Sequence, residues 1–342
     1  MDSAFLISII TPTYNRADEL AHLFHSIEKQ NTNLEKIELI ISDDGSTDGT
    51  KALVQLWKEK VHYKIKYISQ ENKGPGAARN HGLKTSSGDL ILFIDSDCEA
   101  HPDWIKLILN DFRKNKFGAF GGPDGAKEDF TDLQKAIDYS MTSMFTTGGI
   151  RGHSDKMLSK FFPRTHNMGI SREIYNLVGG FGNLRHGQDI EFSNRIRKAG
   201  AKISFIKKAL VYHRRRTSLK QFFKQVFNWG VARVNLGKID SDMLEPIHFL
   251  PTLSILVTII SLPLLSSLNL SVLVILLIFF LPLLFLSIYG AYIKNEIKIL
   301  PLLLLVIPIQ IMGYGIGFLQ AYIRRFLFNK NELIGFNKNY YK

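Results

Sequence analysis

With one cysteine in 342 residues, Cys98, the chain can form no internal disulfide, which fits a reducing compartment and leaves that residue a small packing role by default. No basic stretch precedes the short apolar run in "MDSAFLISIITPTYNR", so the run reads as a first strand and not as a secretory signal. The glycines of "NKGPGAARN" are followed by no Gly-Lys-Ser or Gly-Lys-Thr and form no GxGxxG, which excludes the Walker loop and the dinucleotide fingerprint there. Acids are missing from residues 192–239, where thirteen Lys or Arg stand, and this window accounts for the formal net charge of +12. Such a window suits nucleic acid in isolation. Here it leads straight into uncharged, apolar sequence, so the expected partner is membrane lipid and no nucleic acid, and the basic side marks the cytoplasm.

Charge of either sign is absent again from "IHFLPTLSILVTIISLPLLSS" (247–267) and "LSVLVILLIFFLPLLFLSIYGAYI" (270–293). Each is long enough to cross a bilayer, which needs about 20 apolar residues. A third run, 299–323, carries Pro301, Pro308 and glycines 313, 315 and 317, so it can span, kink or re-enter. If it spans, Arg324, Arg325, Lys330, Lys338 and Lys342 end on the outer side, against the positive-inside rule. The composition therefore predicts a soluble domain over 1–215, a basic amphipathic interface helix and linker over 216–246, a transmembrane region over 247–323 with two firm helices, and a basic tail over 324–342. The interface helix would lay Leu219, Phe222, Phe223, Val226, Trp229 and Arg233 against the bilayer.

What the soluble part does contain is a regular alternation of strand and helix. "FLISIITPTYN" reads as a strand and loop, and "ADELAHLFHSIEKQ" places Leu20, Leu23, Phe24 and Ile27 on one helical face. "KIELIISDDGSTDGTKALVQLWKEK" repeats the order, with a helix expected to bury Leu53, Leu56 and Trp57; "KIKYIS" and "DLILFIDSD" supply two more strands. This order implies an α/β fold, a mostly parallel sheet with helices on both faces. In such sheets ligands gather beyond the carboxyl ends of the strands, so the loops there carry the candidate chemistry.

Asp43 and Asp44 close the second strand, where a carboxylate can accept from a base N–H or a ribose hydroxyl; an Asx-turn with an N-cap at Ser46, Thr47 or Asp48 explains the same string. Lys73 precedes a helix start whose unpaired N–H groups favour an anion, although a loop lysine is as readily a solvated one. Asp95 and Asp97 end an apolar strand one residue apart, and their mutual repulsion calls for an explanation. Oxygen ligands in this spacing suit Mg²⁺ or Mn²⁺ with phosphate completing the shell; a solvated turn is the alternative.

Taken in order, "TPTYNR", "SDDGSTDGT", "NKGPGAARNHG", "LILFIDSDC", "NMGISREIYNLVGGF" and "GQDIEFSNRIRKAG" resemble the family 2 glycosyltransferases of GT-A fold, membrane-anchored bacterial members that build exopolysaccharide among them. The resemblance implies inverting transfer from a nucleotide-sugar to a glycan or lipid-linked acceptor at the cytoplasmic face of the inner membrane, in surface polysaccharide assembly. By position it implies that Thr11, Tyr14 and Asp44 hold the base, Lys73 lies near the diphosphate, Asp95 faces the ribose, Asp97 is the principal ligand of Mn²⁺ or Mg²⁺, and Asp189 is the general base. A helix N-cap is the other reading of Asp189, and Asn167, Gly180 and Phe181 read as structural. His213 and Arg216 resemble an H-x-x-R element, and Gln225 to Trp229, "QVFNW", resembles the Q-x-x-R-W element that closes over donor and acceptor. Asn228 stands where arginine is usual, so the charge must come from Arg214 to Arg216 or from Arg233, or that role is lost. Two rival readings are a nucleotidyltransferase, which would release pyrophosphate, and a membrane-anchored binding protein without turnover.

Overall fold

The computed structural model describes residues 5–125, 127, 129–147, 161–267 and 271–336. In chain order its elements are β1 (Ile7–Thr13), α1 (Ala17–Glu28), β2 (Ile37–Asp43), α2 (Thr50–Lys58), β3 (Lys64–Ser69), α3 (Pro75–Thr85), β4 (Leu90–Phe93), β5 (Cys98–Ala100), α4 (Trp104–Asn115), β6 (Ala119–Gly121), β7 (Asp124–Gly125), α5 (Asp132–Thr142), α6 (Met144–Thr147), β8 (Met168–Ser171), α7 (Arg172–Val178), α8 (Gln188–Lys198), β9 (Ile203–Phe205), β10 (Val211–His213), α9 (Leu219–Ile239), α10 (Leu250–Ser267), α11 (Val272–Lys294) and α12 (Leu300–Tyr322). They fall into two units. The first takes the described residues up to 127 and 161–214; the second takes 129–147 and 215–336.

In the first unit seven strands line up in the order β3-β2-β1-β4-β8-β6-β9. Successive residues of the central strands enter opposite cores, as the two-residue period of a strand requires. Ile7, Ile9, Leu39, Ile41, Leu90 and Leu92 pack with α1 and α4 on one side; Ile10, Ile40, Ile91 and Phe93 pack with Leu83, Ile174, Phe192 and Ile196 of α3, α7 and α8 on the other. Both faces are therefore covered by helix, and the unbroken apolar runs of β1, β2 and β4 follow from that. The fold is α/β, a mostly parallel sheet of the GT-A type.

On α1 the expected Leu20, Leu23, Phe24 and Ile27 are all buried. On α2 the expectation is corrected at one position: Leu56 is exposed and Val54 is buried in its place, because Val54 lies on the face that α1 covers.

Two features set up the site. β8 runs antiparallel to β4, with Phe93 opposite Met168, so the chain entering β8 through the turn Thr165–Asn167 arrives beside the chain leaving β4. The small sheet β5-β10-β7 pairs His213 with Cys98 and Val211 with Asp124, which brings the far end of the unit back to the residue after Asp97.

In the second unit α10 and α11 leave Val257, Ile259, Ile260, Leu264, Leu281, Phe285 and Ile288 exposed. Three stretches, Pro246–Leu265, Leu277–Lys294 and Ile297–Leu327, are long and apolar enough to cross a membrane. α12 differs from the other two because it is partly covered by protein: a Cβ at Gly313 would collide with Val226, and one at Gly317 with the backbone of Phe227. Those glycines, which read as weak points in the sequence, let α9 lie directly on α12. The amphipathic reading of α9 is corrected in the same way, since Phe222, Val226 and Arg233 are buried inside this unit and not turned outward.

At the end of α11, Lys294 Nζ lies 2.8 Å from Asp138 Oδ2, and Arg215 donates to Asp138 Oδ1 at 2.7 Å. Burial alone would raise the Asp138 carboxyl. The two cations outweigh it and hold the group below the usual carboxylate range.

Candidate active site

The site is assembled from loops at the carboxyl edge of β1, β2 and β4 together with the segments that enter β8, α8 and β10. Asp44, buried at the end of β2, spends both oxygens on the third loop: Oδ1 accepts from the Lys73 N–H at 2.9 Å and from Gln70 Nε2 at 2.8 Å, and Oδ2 accepts from the Gly74 N–H at 2.7 Å. Gly74 sits at φ +93°, a conformation that side chains rarely adopt. The turn role expected near here belongs to Asp43, which accepts from the Ser46 N–H at 2.8 Å, and Asp48 accepts from Thr50 at the head of α2. Lys73 is exposed and Tyr14 half-buried. The hydroxyls of Thr11 and Thr13 are buried at the end of β1 without a hydrogen-bond partner among the described residues.

From this loop α3 runs against the start of α8. A Cβ on Gly76 would overlap the end of the Gln188 side chain, which marks how closely the two helices approach. One residue further on lies Asp189. It is in the first turn of α8 behind Gly187, with no side-chain cap at the helix start, which corrects the N-cap reading. Arg164 Nη1 lies 3.4 Å from its Oδ2, and 22% of the carboxylate side chain remains exposed. Burial pushes the Asp189 carboxyl up, but the charges of Arg164, Arg79 and His166 pull it below its ordinary value. The group is ionised throughout the neutral range.

The two acids after β4 have separate partners. Asp95 Oδ1 accepts from Arg79 Nη2 at 2.6 Å, with 9% of the arginine side chain exposed. Asp97 Oδ1 lies 3.4 Å from His213 Nε2. The two acids thus face different neighbours: a guanidinium of α3 meets one, and an imidazole of β10 lies beside the other. An Arg79→Met substitution would leave Asp95 beside an apolar chain. It is expected to cost roughly 2 kcal/mol, less than a fully buried pair because Asp95 is partly exposed, read as a lowered unfolding midpoint of the full chain.

Around His213 the donor atoms crowd together. Side-chain ligand atoms of Asp97, Cys98 and His213 lie within 4.8 Å of one another, as do those of Asp124, His166 and His213. A carboxylate oxygen beside an imidazole nitrogen is a donor set that a divalent cation can use, so the residues present fit a metal ion.

Of the other expected site residues, Arg216, Gln225 and Trp229 belong to the second unit. Asn228 is buried, and its Oδ1 accepts from the Phe336 N–H at 2.9 Å. Arg233 donates to the Met243 carbonyl at 3.1 Å, Arg215 pairs with Asp138, and Arg214 lies 3.3 Å from Glu99. Each of these three arginines therefore already has a partner. Asn167 is fully buried and bonded to Trp104, Pro123 and Ala209, a structural role.

Arg79, Asp124, Arg164 and His166 were not among the candidates. Arg79 lies within the quoted "NKGPGAARN", where an arginine one helical turn from the helix start was the available signal; the others have no spacing that marks them.

Over residues 8–179, half of the chain, the sequence matches the model of glycosyl transferase family 2. The chain belongs to that family. Among similar proteins, glycosyltransferase AglE of Haloferax volcanii is 25% identical over 245 residues, which is 71% of this chain and 78% of that protein. Validoxylamine A glucosyltransferase of Streptomyces hygroscopicus is 36% identical over 124 residues, 36% of this chain; the match spans only 27% of that longer protein. Among solved structures, the mannosyltransferase PcManGT of Pyrobaculum calidifontis, in complex with GDP-Man and Mn²⁺, aligns with a TM-score of 0.61 over 92% of this chain and 86% of its own at 15% identity. The two share a fold.

Proposed function

We propose that this family 2 glycosyltransferase moves one sugar, with inversion, from a nucleoside-diphosphate sugar to a hydroxyl of a glycan or lipid-linked acceptor. The observation that carries the reading is the pairing within one unit of an ionised, partly exposed Asp189 with an oxygen and nitrogen donor cluster at Asp97 and His213. Asp189 would take the acceptor proton as the acceptor oxygen bonds to the anomeric carbon and the carbon–phosphate-oxygen bond breaks. Asp44, Thr11 and Tyr14 would hold the base, Asp95 would lie on the ribose side, and Lys73 with the amides at the start of α3 would face the diphosphate. Asp97 and His213 would hold the metal. Bound there, a divalent cation offsets the charge that develops on the departing nucleoside diphosphate.

In the same reading α10 and α11 cross the inner membrane and the basic window before them keeps the catalytic unit in the cytoplasm, where a lipid-linked acceptor arrives at the bilayer face. A surface polysaccharide is the product class, and the small membrane region argues for single additions over processive synthesis.

The test is a panel of nucleotide-sugars offered to the full chain in detergent with a lipid-linked acceptor pool. Release of nucleoside diphosphate with one donor supports the reading. Pyrophosphate release would point to a nucleotidyltransferase, and tight donor binding without turnover to a binding protein. Because one donor at the cluster is an imidazole, and Mg²⁺ favours an all-oxygen shell, replacing Mn²⁺ by Mg²⁺ is expected to lower kcat/KM about tenfold; equal rates would argue against His213 as a ligand.

A further inference from the structure

Asp124 is the most enclosed charge of the first unit near the site, with 1% of its side chain exposed. Its Oδ2 lies 3.4 Å from His213 Nδ1, and its Oδ1 lies 3.8 Å from His166 Nε2. The two imidazoles face each other at a centroid distance of 5.2 Å and a tilt of 31°. A carboxylate this deep is costly to bury unless N–H groups turn toward it, and Nδ1 of His213 is so placed.

The register of the small sheet explains how this comes about. β7 and β10 run parallel with Asp124 beside Val211, while β5 and β10 run antiparallel with Cys98 opposite His213. The ring of His213 is therefore caught between an acid on each side, Asp124 at Nδ1 and Asp97 at Nε2.

Asp124 and Asp97 thus address opposite nitrogens of one ring, so an Nδ1–H given to Asp124 leaves Nε2, 3.4 Å from Asp97 Oδ1, as the atom that can ligate a cation beside that carboxylate. We propose that Asp124 is a positioning residue for His213: its carboxylate fixes the ring and the tautomer, and so presents Nε2 to the same cation that Asp97 holds. An outer carboxylate on a ligating imidazole raises the basicity of that ligand, and losing one typically weakens metal binding 10- to 100-fold.

The inference rests on the reading that Asp97 and His213 bind a metal, and the experiment separates the two. Full-length protein in detergent is titrated with Mn²⁺ alone, and the free ion is followed by its electron paramagnetic resonance signal, for wild type, Asp97→Ala and Asp124→Asn. The amide of the Asn variant offers one acceptor where the carboxylate offers two, and turns N–H donors toward a ring that needs an acceptor. The expected result is Mn²⁺ affinity lost in Asp97→Ala and weakened at least tenfold in Asp124→Asn, with nucleoside diphosphate binding in the absence of metal unchanged in the latter. Wild-type affinity in Asp124→Asn, together with loss in Asp97→Ala, would overturn the positioning role and leave the metal reading standing. Equal affinity in wild type and Asp97→Ala would remove both. Should Asp124→Asn not fold, wild-type protein labelled with ¹⁵N-histidine decides. The metal-free His213 ring, assigned by comparison with His213→Gln, is expected to carry its proton on Nδ1, and a proton on Nε2 alone would overturn the proposal.

Discussion

An Asp189→Asn enzyme is expected to turn over about 10³-fold more slowly than wild type while binding donor with unchanged affinity, since a positioned general base contributes about 10²- to 10⁴-fold. The amide keeps the size of the side chain and removes its capacity to accept a proton. The direction of the Asp189 shift adds a second expectation. Its carboxyl lies below the ordinary value because Arg164, Arg79 and His166 outweigh burial. The base form therefore persists down through the usual carboxylate range, and no acid limb from this group should appear in kcat above about pH 5. In Arg164→Ala the effect of burial gains weight, the carboxyl rises, and an acid limb should move up toward neutrality. For stability the sign is that of any depressed acid: the contribution is present above the unfolded value and is lost as pH falls through the folded one. Unchanged turnover in Asp189→Asn would end the assignment of the base.

Asp97→Ala is expected to be at least as damaging, lowering kcat/KM about 10³-fold with no recovery at high Mn²⁺, because the departing diphosphate would lose several kcal/mol of charge stabilisation. Its value as a test lies in the comparison with Asp95. The two acids are one residue apart, yet one faces Arg79 and the other His213. Asp95→Asn should therefore keep Mn²⁺ affinity within a few-fold of wild type, and Asp97→Ala should lose it. If activity survives intact in Asp97→Ala with either metal, the cation has no part at this place.

The alternation of strands and helices was legible because burial on both sheet faces leaves continuous apolar runs, and because loops of Gly, Asp and Asn punctuate them. Leu56 shows the limit: it belongs to the apolar set of α2, and only the packing of α1 decides that Val54 turns inward. The acids of the site were readable as types, although turns offer acids a structural role of their own, as Asp43 and Asp48 show. Their partners were not. Arg79, Asp124 and the pair Arg164 and His166 come from three segments with no shared period, and pairing between distant polar residues leaves no trace in spacing. The fate of Asn228 was likewise hidden, since its hydrogen bond runs to Phe336, far along the chain. Glycines 313 and 317 carried a signal that pointed the wrong way: read along one helix they weaken it, and against a second helix they let two backbones touch.

The reversed direction of β8 has a bearing on how such an enzyme can diversify. It lets the segment with Arg164 and His166 enter beside the chain that leaves β4, although a long length of chain separates them. In the roles proposed above, most of the grip on the activated sugar is written early in the gene, with His213 its late exception, and the deprotonating group late. Loops between fixed elements tolerate replacement. A lineage can accordingly exchange the alcohol it glycosylates by rewriting the later portion, while the earlier one goes on recognising the same currency of activated carbohydrate.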